Sequence, residues 1–150
     1  MREQTTAGPS PEAFGGSSLG AKARRAFFAM RPKFFTASIL PVIVGTALGA
    51  KALGYVDWLP AIIAIVATVL VHAAANVLND VGDDITGADP ANTGRIYPYT
   101  GGSRFIQAGI LTRGEMNRLG LSLLAAAFLL GLADVGADEE RVVPKMAFKL

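Results

Sequence analysis

The chain has 150 residues, 51% of them hydrophobic and 17% charged, a length of about one domain. Soluble domains carry about 25% charged residues, so the composition excludes a charge-rich disordered chain and argues against an ordinary soluble domain. A net charge of +2 is too small to point to nucleic acid, and the lack of cysteine removes disulfides, thiolate metal ligands and thiol nucleophiles.

Residues 1–20 are rich in Gly, Ser and Pro, which predicts a disordered tail, and no apolar run marks a signal peptide. Residues 21–35 interleave Lys22, Arg24, Arg25, Arg31 and Lys33 with Phe27, Phe28, Met30, Phe34 and Phe35, a pattern suited to a membrane interface. An uncharged run then begins a first span, about 34–54, with Pro41, Gly45 and Gly49 inside it. Tyr55 and Trp58 mark a short interfacial connection. Residues 58–81 form the strongest span. His72, the one ionisable group of its apolar stretch, reads as a hydrogen-bonded packing residue.

Residues 82–113 read as a polar loop, of a length that is usually functional or disordered. A third span is expected over 115–133, interrupted at Asp134, and residues 134–150 replace the apolar pattern with mixed charges. The predicted fold class is all-α, a transmembrane helical bundle with three spans. Cations before the first span, and Arg95, Arg104 and Arg113 in the second loop, put the N-terminus and the 82–113 loop on the cytoplasmic side of the cell (inner) membrane.

The chemistry concentrates in Asn76-Val-Leu-Asn79-Asp80-Val-Gly-Asp83-Asp84. Asn76, Asn79, Asp80 and Asp83 fall at i, i+3, i+4 and i+7, one face of a helix. Carboxylates and amides at the end of a membrane helix are costly to desolvate. Oxygen ligands without Cys suit a hard cation, Mg2+ over Zn2+, and Mg2+ favours a few carboxylates plus substrate phosphates. The pattern therefore predicts a Mg2+–diphosphate site at the membrane surface, against the plainer reading of a helix end facing water, which Asp84 and Asp89 fit. Arg104 follows Gly101-Gly102-Ser103, a close-approach turn that can aim a guanidinium and backbone amides at phosphate. Arg95 is a candidate of the same kind. Arg31 and Lys33 can reach the site or anchor the first span, and Tyr97 and Tyr99 are candidates for an acceptor pocket.

Three segments, RPKFFTASILPVIVGTALG, NVLNDVGDDITGAD and TGGSRFIQAGILTRGEM, resemble the UbiA superfamily of intramembrane prenyltransferases from about Arg31 to Gly131. The NDxGDxxxGxD pattern, here Asn79, Asp80, Gly82, Asp83, Gly87 and Asp89, is most similar to the 1,4-dihydroxy-2-naphthoate polyprenyltransferase branch. The resemblance implies a bundle of about nine helices that moves a polyprenyl group from its diphosphate to an aromatic acceptor with Mg2+. It implies that Asn76, Asp80 and Asp83 act catalytically and hold the metal, and that Asn79 and Arg104 bind diphosphate, with Arg95, Lys33 and Arg31 as further candidates.

The family also uses a second Asp-rich motif, and none follows Asp89 here. The expectation is an N-terminal third of such an enzyme, inactive alone, with residues 134–150 read out of frame. Two other readings compete. One is a small membrane scaffold that oligomerises through Gly45 and Gly49. The other is part of a transporter with an intramembrane Asp and His path.

Overall fold

A computed structural model of the chain describes residues 8–88 and 100–147, with helix backbone alone over 136–147. The described residues are all-helical: α1 (Leu19–Ala29), α2 (Phe35–Leu53), α3 (Trp58–Thr86) and α4 (Arg113–Ala147), with 3-10 turns at Pro11–Phe14 and Pro32–Phe34 and no strand. Three stretches are long and apolar enough to cross a membrane, Pro32–Leu53, Trp58–Thr86 and Arg113–Val135. Many of their large apolar side chains face outward, among them Leu40, Leu48, Ile62, Phe128 and Leu132. Such a surface is a liability in water and the expected one in lipid.

Gly54 ends α2 in the left-handed region at φ 79°, its N–H donating to the Ala50 carbonyl, and the chain turns back into α3. Helix α3 packs against both α2 and α4. Pro41 is accommodated inside α2, as is common in membrane helices. His72 hydrogen-bonds Ser38 across the α2–α3 contact and its ring meets Phe35 edge-on at 5.6 Å, the packing role expected of it. The buried core, Ala29, Val77, Val81, Phe105 and Met116, sits at one end of the bundle, where α1 and the loop before α4 close over α3. At the other end α2 and α3 leave an open groove of about 460 Å³ lined by Gly45, Gly49, Asp57 and Asp134.

Three sequence boundaries move. Helix α3 does not stop at residue 81 but runs to Thr86, so Asp83 and Asp84 are helical and not part of a loop. Gly82 does not break it: Thr86 Oγ1 donates to the Gly82 carbonyl at 2.9 Å, and the stop is Gly87 at φ 74°. Helix α4 passes through Asp134 without a break: aspartate costs only about 0.7 kcal/mol in helix propensity, and Asp134 stands at the end of the apolar stretch, lining the groove. Residues 8–20, read from composition as tail, carry a turn capped by Ser10 and a helix start capped by Ser18.

Helix α4 opens with a reciprocal cap that Thr112-x-x-Glu115 spells in the sequence. The Thr112 N–H donates to Glu115 Oε2 at 2.8 Å and the Glu115 N–H donates to Thr112 Oγ1 at 3.2 Å. Thr112→Ala is expected to lower stability by about 1 kcal/mol in a thermal melt, with Thr112→Ser close to wild type.

Candidate functional site

The polar end of α3 divides into two rows. Asn76, Asp80 and Asp84, four residues apart, each tie α3 to another part of the chain. Asn76 Nδ2 donates to the Met30 carbonyl at 3.1 Å, beside the α1–α2 junction. Asp80 is 1% exposed and its Oδ2 accepts the Ser103 N–H at 2.9 Å. Asp84 accepts Gln107 Nε2 at 3.1 Å and pairs with Arg113 at 2.6 Å. The second row, Asn79 and Asp83, lies nearer the surface and is joined by an Asn79 Nδ2 to Asp83 Oδ2 hydrogen bond of 2.9 Å. The single face predicted from spacing is thus part tether and part open donor set.

The loop over this face is held in an unusual backbone. Gly101 and Gly102 take φ 72° and 69°, a region that suits glycine, and Arg104 takes φ 58°. A non-glycine residue there costs of order 1–3 kcal/mol and persists only when its surroundings hold it. Ser103 and Phe105 on either side are buried, and the Arg104 carbonyl accepts the Ala108 N–H at 2.9 Å. The close-approach turn expected from Gly-Gly-Ser-Arg is therefore present.

Arg31, also left-handed at φ 58°, opens the Pro32–Phe34 turn with its guanidinium 4.8 Å from the Phe34 ring centre. Arg31 and Lys33 line a cavity of about 110 Å³ together with Gly102, Ser103 and Phe105. Ser103 both walls this cavity and binds Asp80 through its amide. The structure thus brings Arg31, Lys33 and the Arg104 loop to the carboxylate end of α3. Arg95 lies outside the described residues, as do Asp89, Tyr97 and Tyr99.

No group of three or more His, Cys, Asp or Glu able to hold a metal occurs among the described residues. Two carboxylates and two amides, all oxygen donors, still fit Mg2+, which commonly takes one or two carboxylates and completes its shell with substrate phosphates and water. Sequence reasoning missed the Asp84–Arg113 pair and Gln107, whose partners lie 29 and 23 residues away in the chain.

Residues 38–137 match the UbiA prenyltransferase family. The chain belongs to this family. Two curated relatives, both called UbiA prenyltransferase domain-containing protein 1, are similar to it. The zebrafish protein (Danio rerio) is 41% identical over 71 residues, 47% of this chain and 21% of that protein. The protein from Xenopus tropicalis is 39% identical over 61 residues, 41% of this chain and 18% of that protein. The chain thus spans about a fifth of the length of these relatives. No solved structure matches it. Within the UbiA family match lie α2 from residue 38 on, α3, the Arg104 loop and α4 as far as residue 137; Arg31 and Lys33 precede it. Family membership and the three apolar helices together point to a multi-pass membrane protein.

Proposed function

We propose that the α3 end and the Gly101–Phe105 loop form the diphosphate-binding part of a polyprenyltransferase. The donor is a polyprenyl diphosphate and the acceptor a 1,4-dihydroxy-2-naphthoate-like aromatic of menaquinone-type quinone biosynthesis. The observation that carries this reading is the Asp80–Ser103 bond, which couples the carboxylate end of α3 to the cationic loop. The choice of acceptor is supported by the NDxGDxxxGxD spacing alone. In this reading Asn76, Asp80 and Asp83 hold Mg2+, which supplies charge neutralisation to the leaving diphosphate. Asn79, Arg104, Lys33 and Arg31, with Arg95 as a further candidate, bind the diphosphate oxygens. The prenyl C1–O bond breaks, diphosphate leaves, a ring carbon bonds to C1 and the ring loses a proton. The residues here would bind and orient the leaving group, since charge stabilisation and positioning carry such reactions. The end bearing Arg31, Lys33 and Arg104 faces the cytoplasm in this proposal.

The test uses the 150-residue chain in lipid nanodiscs and inorganic pyrophosphate, titrated by calorimetry with and without Mg2+. Binding is expected with Mg2+ only, weakened about tenfold by Asp83→Asn, a loss of about 1.4 kcal/mol. Oligomerisation without pyrophosphate binding would instead favour the scaffold reading, whose Gly45 and Gly49 have open space around them.

A further inference from the structure

Phe14 lies well before the family match, which begins at residue 38, and is the one large apolar side chain between residues 8 and 18. Its ring centre is 4.9 Å from that of Phe105 and 5.6 Å from that of Phe28. Two arginines clamp the turn that carries it. Arg25 Nη1 donates to the Phe14 and Gly16 carbonyls at 3.0 and 2.8 Å. Arg24 Nη1 donates to the Ala13 carbonyl at 2.9 Å, and its guanidinium lies 5.2 Å from the Phe14 ring centre. These cations, read from sequence as part of a membrane-interface segment, fold the N-terminal turn onto α1.

From Phe14 a continuous set of contacts leads to the site. Phe105 is 3% exposed, and its N–H donates to Ser103 Oγ at 3.3 Å. The Ser103 N–H donates to Asp80 at 2.9 Å. Arg104 sits between these two held residues in its left-handed backbone. Phe14 also walls the cavity that Arg31 and Lys33 line.

We propose that Phe14 is a positioning residue of the diphosphate site. The clamped turn seats Phe105, which holds the Gly101–Phe105 loop against Asp80 and keeps Arg104 in its strained conformation before any ligand arrives. Donors ordered in advance cost less to bring to an anion than donors that must be ordered on binding. The inference rests on the proposed function for what the site binds; the seating of the loop does not depend on it.

The test compares the wild-type chain with Phe14→Ala and Phe14→Tyr in nanodiscs, by amide hydrogen exchange and by titration with Mg2+ and inorganic pyrophosphate. Phe14→Ala is expected to speed exchange at Ser103 and Phe105 at least tenfold, to leave the α3 and α4 spans unchanged, and to weaken pyrophosphate binding about tenfold. Phe14→Tyr, which keeps the ring, should restore both. Should Phe14→Ala fail to fold, Arg25→Gln loosens the clamp without emptying the aromatic contact and is expected to act in the same direction. Unchanged loop exchange overturns the proposal, and so does faster exchange with unchanged affinity, which would make Phe14 a packing residue only. A wild-type chain that binds no pyrophosphate removes the diphosphate reading and the positioning role with it, while the exchange data still decide whether Phe14 seats the loop.

Discussion

Asp80→Asn is expected to weaken Mg2+-dependent pyrophosphate binding about a hundredfold while leaving the helices intact. Asp80 is 1% exposed with the Ser103 amide on its carboxylate, and a buried carboxylate is costly unless such partners compensate it. Asparagine has nearly the same volume and its carbonyl oxygen can still accept the Ser103 N–H, so the shape of the loop is kept and the charge is lost. What is lost is the attraction between the carboxylate and the cation, and two decades in affinity correspond to about 2.8 kcal/mol of it. Asp80→Ala goes further, because it leaves the buried Ser103 N–H without its acceptor, at about 1–3 kcal/mol of stability. Calorimetry reads the first effect and the thermal midpoint in detergent the second. Full affinity in Asp80→Asn would reduce Asp80 to a tether for the loop and leave the cation to Asn76 and Asp83.

Gly120→Ala is expected to destabilise the bundle by about 1–3 kcal/mol, the usual cost of forcing an added methyl into a packed contact. A Cβ at Gly120 would stand 2.6 Å from Leu78 Cγ, 2.7 Å from Leu78 Cδ2 and 3.4 Å from Val77 Cγ1. Leu78 Cγ is a branch point one bond from its own Cβ, so it cannot yield without changing rotamer, and Val77 is fully buried. Small residues let membrane helices approach closely, and here the approach sets how α4 meets α3. Leu78 lies between Asn76 and Asn79, so the same substitution should also disturb the donor rows and weaken pyrophosphate binding. Gly131→Ala is the control on the same helix: a Cβ there meets nothing within 4 Å, and its thermal midpoint should match wild type. Equal midpoints for the two variants would show that α3 and α4 do not depend on this contact.

Much of the fold was legible because its cause is local. A run such as WLPAIIAIVATVLVHAAANVL is apolar over enough residues to span a bilayer whatever its neighbours do. The end of α3 was less legible. Asn79, Asp80, Gly82 and Asp83 look like a helix end, yet Val81 and Ile85 keep helical spacing through them and the stop waits for Gly87. The cap at Thr112 and Glu115 was there to be read from spacing alone. Phe14 was not, since one phenylalanine in a Gly/Ser/Pro stretch has no period to announce its partner.

The sequence by itself determined three apolar helices, a polar face at the end of the second and a glycine-rich cationic turn after it. These follow from hydropathy, helical period and backbone freedom, all properties of neighbouring residues. Only the tertiary structure decided which polar groups on that face are tethers and which are open. Asn76 meets a carbonyl 46 residues earlier and Asp80 an amide 23 residues later. Contacts at such separations exist only once α1, the α1–α2 junction and the loop have folded back onto α3, and no local pattern encodes where a returning chain will place its N–H and C=O groups.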